Sequence, residues 1–271
     1  MAKAQNVTYE MDQLYQPYRF EDIKNLGHYV DEHWSASFSI AFTYLVFIAL
    51  GQNYMKARKS FNLQKPLFLW SLSLAIFSIL GTVRTWSFMG TLIYKIGFKY
   101  SVCYGLFTEI PVVKFWSIFF ILSKIIELGD TAFIILRKRP LIFVHWYHHS
   151  TVLVYSFFGY KNRFPAGGWH MTMNFGVHAI MYTYYSLKAL RVNPPRMLSM
   201  VITSLQILQM LAGALISFLS YVWRHEHGCE DTTADVFFWS AALYFSYIIL
   251  FAHFFCQAYI LPNNKHKTKS Q

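Results

Sequence analysis

Residues 141–160 read LIFVHWYHHSTVLVYSFFGY, and this stretch places three histidines inside an otherwise apolar run. Its length of about twenty residues matches that of a helix that crosses a lipid bilayer. Positions i, i+3 and i+4 share one face of a helix, so His145, His148 and His149 are predicted to project together. Because ionisable side chains are costly inside a membrane, three of them on one face indicate a functional site.

The composition indicates that most of the chain lies in a membrane. The 271 residues are 55% hydrophobic and 20% aromatic, which would leave a soluble domain short of polar surface. Apolar runs of about 20 residues predict seven spanning helices, at residues 34–54, 66–86, 112–136, 141–160, 169–190, 197–223 and 236–260. We therefore predict an all-α integral membrane protein with a single domain, residues 1–271. Its core is 34–260, between an N-terminal tail, 1–33, and a C-terminal tail, 261–271.

The distribution of lysine and arginine predicts the orientation of this bundle. Seven spans place the termini on opposite sides, and short loops rich in Lys and Arg normally face the cytosol. One side holds basic residues and no acid: Lys56, Arg58, Lys59, Lys65, Arg137, Lys138, Arg139, Lys188, Arg191, Arg196, Lys265, Lys267 and Lys269. The C-terminus is therefore predicted in the cytosol and the N-terminus in the lumen or outside the cell. Anionic lipid headgroups or an anionic substrate would account for the net charge of +11 without nucleic acid.

Three further features of the sequence indicate the cell compartment in which the protein lies. Cys103 and Cys229 fall in predicted lumenal loops, where an oxidising environment favours a disulfide, although sequence alone does not show that they are close. Asn6 begins the tripeptide Asn-Val-Thr, which fits the N-glycosylation pattern on the same side. Lys267 and Lys269 resemble a dilysine retrieval signal of endoplasmic-reticulum membrane proteins, and an ordinary basic tail is the alternative interpretation.

Charged residues also lie inside the third predicted span. Lys124, Glu127 and Asp130 are three residues apart and share one stripe of the helix. Each such group costs at least about 2.5 kcal/mol in a span unless it is paired or hydrated. Two interpretations follow, a polar cavity that faces the bundle interior or a structural Lys124–Glu127 ion pair that locks helices together.

Two more polar stripes occur in later spans. The fifth span carries His170, Asn174, His178 and Tyr182 at four-residue steps, followed by Tyr184 and Tyr185, and the sixth begins with Thr203, Gln206 and Gln209. The strongest groups lie close in sequence to the basic turns, so a polar chamber is predicted to open to the cytosol and to end blindly toward the lumen. Two interpretations of the stretch 87–111 remain, a lumenal loop or a partly buried, re-entrant helix.

Together these motifs closely resemble the ELOVL family of very-long-chain fatty acid elongases, over essentially the whole chain. The resemblance consists of four boxes in the same order. They are a lysine-glutamate-aspartate box at Lys124 to Thr131, a HxxHH box at His145 to His149, a HxxMYxYY box at His178, Met181, Tyr182, Tyr184 and Tyr185, and a TxxQxxQ box at Thr203, Gln206 and Gln209. The flanking sequence looks most like the branch that uses saturated and monounsaturated acyl chains.

The resemblance implies the condensing step of microsomal fatty acid elongation. A 3-oxoacyl-CoA synthase of this kind joins an acyl-CoA to malonyl-CoA and releases CO2 and CoA. The implied fold has seven helices, six of them ringed around an acyl-chain tunnel, and the implied location is the endoplasmic-reticulum membrane. Expected partners are both substrates, membrane lipid, other elongases and the reductases and dehydratase of the elongation cycle, with no cofactor, metal or nucleic acid.

The residues themselves fit this chemistry. Imidazole accepts acyl groups, and the chain has no serine or cysteine in an active-site-like context, so we predict His148 as the nucleophile. His145 and His149 would orient it or move protons, and Asp130 would fix a tautomer. Oxyanion donors are expected among His178, Asn174 and Tyr182, and Lys124 is expected to hold CoA phosphates or the malonyl carboxylate. Further substrate contacts are expected at Glu127, Tyr185, Gln206 and Gln209.

Two other classes of protein share part of this pattern. Iron-dependent membrane desaturases and hydroxylases also use HxxHH, but they resemble one another in having several histidine boxes, whereas this chain has one HxxHH. A seven-helix receptor or transporter would share the topology. The function of a receptor or transporter does not explain why His, Asp, Glu and Lys residues gather in one half of the membrane.

Overall fold

The computed structural model describes residues 21–103, 111–226, 229 and 232–261. Within these ranges the regular structure is helical and no strand occurs. The helices are α1 Glu21–Glu32, α2 Ala36–Lys56, α3 Gln64–Ile96, α4 Phe98–Cys103, α5 Pro111–Glu127, α6 Gly129–Leu136, α7 Phe143–Lys161, α8 Gly167–Ala189, α9 Arg196–Trp223 and α10 Ala234–Phe255, the last continuing as a π-helical turn, Cys256–Ile260. The expectation of an all-α protein is confirmed.

In the described part of the chain, four helical segments are long and apolar enough to cross a membrane. They are α2, α3, α9 and α10 with its π-helical turn, and a chain with four such helices is a multi-pass membrane protein. The other three predicted spans coincide with α5–α6, α7 and α8. Of these, α5 has only 17 residues, and α7 and α8 carry most of the polar motifs. The count of seven spans therefore remains a prediction.

The third predicted span is divided in two at Leu128, between α5 and α6. There the N–H of Leu128 donates to the carbonyl of Ile125, and the N–H of Thr131 donates to that of Leu128. This three-residue spacing is tighter than that of an α-helix. The indole ring of Trp70 on α3 lies against the break, where a Cβ on Gly129 would come within 2.5 Å of the ring. Glycine therefore permits the approach of α3 to the polar end of α5.

The second predicted span ends later than expected. Helix α3 runs to Ile96 rather than to residue 86, and the short helix α4 follows it with Ser101, Val102 and Cys103 buried. Part of the ambiguous stretch 87–111 is thus helical, and residues 104–110 lie outside the described residues. A disulfide joins Cys103 to Cys229, across a sequence separation of 126 residues.

Six of the helical segments contact one another in a closed circuit. In order around it, α7 contacts α10, α10 contacts α9, α9 contacts α8, α8 contacts α3, α3 contacts α5, and α5 returns to α7. Helix α2 contacts α6 and α7, and α1 contacts α5 and α7. The side chains that face inward from these six helices therefore line the interior of the ring.

The basic turns come together at one end of this bundle. Lys124 hydrogen bonds to Asn174 and Asp130 to Tyr182, so α5–α6 run parallel to α8 and end on the same side. The turn after α6 also reaches the turn after α2, because Lys138 donates to the carbonyl of Arg58. We call this side, with the turns 56–59, 137–139 and 188–196, the basic end. The opposite end carries the disulfide, and Trp169 there donates to Ser101.

Candidate active site

The three histidines of the HxxHH box lie in the first turns of α7, next to the basic end. The rings of His145 and His149 are 4.4 Å apart, and those of His148 and His149 are 5.7 Å apart. Their outer neighbours differ. Nε2 of His145 lies 3.0 Å from the hydroxyl of Thr131, whereas the ring of His148 lies 5.0 Å from that of Tyr247. The histidines are thus a cluster, and His148 is the member that lines a cavity bounded by α5, α7, α8, α9 and α10.

A second polar cluster is built from α5 and α8. Nζ of Lys124 lies 2.8 and 3.1 Å from the two carboxylate oxygens of Glu127 and 2.9 Å from Oδ1 of Asn174. Ser123 also donates to Glu127, at 3.0 Å. Lys124 is 2% exposed and Glu127 3% exposed, so the two charges compensate each other away from water. The structure therefore contains the Lys124–Glu127 ion pair. The same ammonium also holds Asn174, a residue of the cavity wall.

His178 joins this cluster from α8. Its Nδ1 lies 3.7 Å from a carboxylate oxygen of Glu127, and its ring lies 5.4 Å from that of Tyr182. The four-residue spacing of Asn174, His178 and Tyr182 accounts for this, since it stacks the three side chains on one face of α8. All three are buried.

Asp130 contacts aromatic side chains instead of histidines. Nε1 of Trp70 donates to one carboxylate oxygen at 2.7 Å, and the hydroxyl of Tyr182 donates to the other at 2.8 Å. The neighbouring Thr131 is the residue that reaches His145. Within the described residues no hydrogen bond or ion pair joins Asp130 to a histidine, so no contact supports its expected role in fixing a tautomer.

The remaining predicted site residues are distributed over two regions. Gln209 lines the cavity together with His148 and Asn174. Gln206 donates to the sulfur of Met181, and Thr203 donates to the carbonyl of Ser199 on its own helix. Tyr185 is 44% exposed, and its ring lies 6.1 Å from that of Tyr182. Thr203, Gln206 and Tyr185 are not on the cavity wall.

An elongated cavity runs along α7. Its wall is contributed by α5, α7, α8, α9 and α10, and by the turn after α7. His148, Asn174 and Gln209 lie toward the basic end, while Arg163 and Phe164 lie at the opposite end. The wall between them is mostly hydrophobic, with residues such as Ile121, Val152 and Met171. The arrangement suits a long apolar group whose reactive end lies at His148.

Sequence reasoning missed several residues that complete this site. Trp70 bonds to Asp130 and Tyr44 bonds to Thr131. Tyr247, whose hydroxyl lies 2.7 Å from that of Thr151, packs beside His148. Each is an aromatic residue in an apolar helix that has no polar stripe. Its hydrogen bond is made to a residue of another helix, and the periodicity within one helix does not predict such a contact.

Some predicted sites cannot be placed in this geometry. Asn6, Lys267 and Lys269 lie outside the described residues.

Within residues 21–103, 111–226, 229 and 232–261, no group of three or more His, Cys, Asp or Glu side chains is arranged to hold a metal ion.

Comparison with known proteins relates this site to a family. A model described as ELO, the GNS1/SUR4 family, matches residues 29–267. Very long chain fatty acid elongase 3 of Homo sapiens is 65% identical over 271 residues, which cover 100% of both chains. The protein of that name from Mus musculus is 59% identical over 95% of each chain, and very long chain fatty acid elongase 6 of Homo sapiens is 48% identical over 90% of this chain and 93% of its own. The resemblance carried by the four boxes is confirmed, and the chain belongs to the ELO (GNS1/SUR4) family.

Proposed function

We propose that this protein is the condensing enzyme of microsomal fatty acid elongation. It joins a long-chain saturated or monounsaturated acyl-CoA to malonyl-CoA and forms 3-oxoacyl-CoA, CO2 and CoA. Family membership and the names of the full-length relatives support an enzyme of fatty acid elongation. The observation that carries the proposal is the position of His148, at the polar end of an elongated cavity with a mostly hydrophobic wall.

The first half-reaction acylates the protein. A ring nitrogen of His148 attacks the thioester carbonyl, the carbon–sulfur bond breaks, and CoA leaves as a thiol with the proton that the acylated imidazole ring loses. Acyl transfer to imidazole splits one difficult displacement into two easier steps. Departure of CoA also clears the mouth of the cavity, which two bulky CoA esters would otherwise share.

The second half-reaction forms the new carbon–carbon bond. Malonyl-CoA loses CO2 and becomes an enolate, whose carbon attacks the acyl carbonyl. The carbon–nitrogen bond to His148 then breaks, and the leaving ring nitrogen takes a proton from solvent, which restores the neutral imidazole. Negative charge develops on oxygen in both steps, so fixed hydrogen-bond donors near His148 lower the barrier.

Asn174 is one candidate for such a donor. An ammonium group can only donate, so the contact of Lys124 must be with the amide oxygen of Asn174. Asn174 lines the cavity, and this contact leaves its NH2 group to donate to an oxyanion. We assign Lys124 this positioning role in place of direct binding to CoA phosphates, because Glu127 and Asn174 already occupy its ammonium.

The arrangement of charge supports an orientation for this reaction. The basic turns 56–59, 137–139 and 188–196 would face the cytosol and attract the phosphates of acyl-CoA and malonyl-CoA. Seven helices would cross the endoplasmic-reticulum membrane, six of them around the acyl tunnel, with the N-terminus in the lumen and no cofactor. The product would pass to the next enzymes of the elongation cycle, a ketoacyl-CoA reductase, a hydroxyacyl-CoA dehydratase and an enoyl-CoA reductase.

The proposal is tested with purified protein in detergent, acyl-CoA and malonyl-CoA labelled at its C2 carbon. We expect labelled 3-oxoacyl-CoA and an equal amount of CO2 from the wild type. His148→Ala should lose both, whereas the control His28→Ala, whose imidazole is 72% exposed, should retain them. Absence of product from folded wild type with every acyl-CoA from C12 to C22 would refute the proposed reaction.

A further inference from the structure

Helix α2 lies outside the circuit of six helical segments, yet one of its side chains is linked to the histidine cluster. The hydroxyl of Tyr44 in α2 lies 2.8 Å from the hydroxyl of Thr131 in α6. The hydroxyl of Thr131 lies in turn 3.0 Å from Nε2 of His145 in α7. Two hydrogen bonds therefore join α2 to the first histidine of the HxxHH box.

These two hydrogen bonds are shielded from competing groups. Tyr44 is 5% exposed and Thr131 is 0% exposed. A threonine in a helix often donates to a carbonyl of its own helix, as Thr43 does to Ser39. Within the described ranges the hydroxyl of Thr131 makes no such bond, and that of Tyr44 bonds only to Thr131. The proton of Thr131 is therefore available to His145.

The direction of the two bonds follows from the number of protons. Each hydroxyl has one proton to donate. If Thr131 donated to Tyr44, the proton of Tyr44 would have no acceptor among the described residues, and an unpaired buried donor is unfavourable. If Nε2 of His145 donated to Thr131, either the proton of Tyr44 or that of Thr131 would lack an acceptor in the same way. Donation from Tyr44 to Thr131 and from Thr131 to His145 uses both protons.

This direction fixes the tautomer of His145. A neutral imidazole that accepts a hydrogen bond at Nε2 carries its proton on Nδ1. The ring of His145 lies 4.4 Å from that of His149, and the ring of His149 lies 5.7 Å from that of His148. A ring of His145 that is held at Nε2 therefore supports the packing of the two histidines that follow it.

We propose that Tyr44 is a positioning residue of the reaction, which acts through Thr131 and holds His145 in the tautomer with its proton on Nδ1. The inference rests on the proposed function, since it takes the histidine cluster as the reaction centre. Neither Tyr44 nor Thr131 is on the cavity wall, so neither is expected to touch the acyl chain. Helix α2 thereby contributes to the chemistry from outside the circuit of six.

The first test determines the tautomer without substrate. NMR of protein that carries 15N in its histidine rings distinguishes a protonated from an unprotonated nitrogen, and the signals of His145 are those lost in His145→Gln. We expect the wild type to show His145 with its proton on Nδ1. In Tyr44→Phe the proton of Thr131 is free to turn to a carbonyl of its own helix, so both tautomers of His145 should appear. The control Tyr94→Phe alters a tyrosine that is 90% exposed and should keep the wild-type spectrum.

The second test measures turnover at saturating acyl-CoA and malonyl-CoA. Tyr44→Phe should lower kcat by about tenfold, because a small misplacement of a reacting group is costly. Thr131→Val removes the hydroxyl and should lower kcat at least as far, whereas Thr131→Ser keeps a hydroxyl and should stay near the wild type. Adding Tyr44→Phe to Thr131→Val should cause no further loss, because both changes interrupt the same hydrogen bonds. Thr43→Val is the control, since the hydroxyl of Thr43 bonds within its own helix.

The outcomes separate the inference from the proposed function. If the wild type makes no product, the proposed function fails and the role of Tyr44 in the reaction fails with it, while the spectrum still decides whether Tyr44 sets the tautomer. If the wild type is active, the inference alone is overturned by a wild-type His145 protonated on Nε2. It is also overturned by a folded Tyr44→Phe that keeps the wild-type spectrum or the wild-type kcat. If Tyr44→Phe does not fold, equal kcat in Thr131→Val and Thr131→Ser overturns it.

Discussion

Replacing Lys124 by methionine should destabilise the protein strongly. The change keeps the length of the side chain but leaves Glu127, only 3% exposed, without its ammonium partner. Breaking a buried ion pair by removing one member typically costs about 3 to 5 kcal/mol. That corresponds to about two to four powers of ten in the unfolding equilibrium constant. The free energy of unfolding can be measured by titration with SDS in mixed micelles.

Removing the second charge should restore most of that stability. In Lys124→Met/Glu127→Gln the buried site is neutral, and Ser123 can still donate to the glutamine oxygen as it does to Glu127. Replacement of both members of a buried pair is often nearly neutral. Condensation should nevertheless stay low in the double variant, because the amide of Asn174 has lost the donor that orients it.

A surface pair provides the control for this experiment. Lys99 forms an ion pair with Glu226, and their side chains are 39% and 47% exposed. Lys99→Met should change the free energy of unfolding by about 1 kcal/mol or less. The reasoning is refuted if Lys124→Met is as stable as the wild type. It is also refuted if the double variant is no more stable than the single one.

Three further substitutions test contacts seen around the site. Tyr182→Phe removes a hydroxyl that donates to Asp130, and loss of this buried bond should cost about 1 to 3 kcal/mol and lower condensation. Gly129→Ala forces a Cβ toward the ring of Trp70, to 2.5 Å if nothing moves, so overpacking should destabilise the protein by about 1 to 3 kcal/mol. Cys103→Ser opens the disulfide and should cost about 2 to 5 kcal/mol, while peptide mapping of non-reduced wild type should recover the linked peptides.

Each of these changes has a control within the chain. Tyr185→Phe alters a tyrosine that is 44% exposed, Gly90→Ala adds a Cβ in open space, and Cys256→Ser alters a free, exposed thiol. All three controls should leave the free energy of unfolding near its wild-type value. A test variant that matches its control would argue against the contact in question, and free thiols at both Cys103 and Cys229 would exclude the disulfide.

The clustering of the polar boxes was predictable because helical periodicity decides which side chains share a face. Asn174, His178 and Tyr182 are four residues apart, and the structure stacks them on one side of α8. Three- and four-residue steps likewise bring Lys124 to Glu127 and His145 to His149. Such local spacings are read directly from the sequence.

The contacts between helices were not predictable in the same way. Asp130 is bonded by Trp70, which lies in α3 and whose own neighbours in sequence give no sign of a polar partner. That indole also approaches the break at Leu128 closely, and a Cβ on Gly129 would clash with it. Helix α3 continues to Ile96, through residues for which the sequence allowed either a loop or a re-entrant helix. Each of these features depends on how two helices pack and not on the pattern within one.

The acyl-histidine intermediate is the central claim, and intact-mass measurement tests it most directly. Purified protein is incubated with a long-chain acyl-CoA in the absence of malonyl-CoA. The account predicts one added acyl group, release of one equivalent of free CoA, and loss of the adduct in His148→Ala. It is contradicted if CoA stays bound and no adduct forms in an enzyme that turns over normally once malonyl-CoA is added.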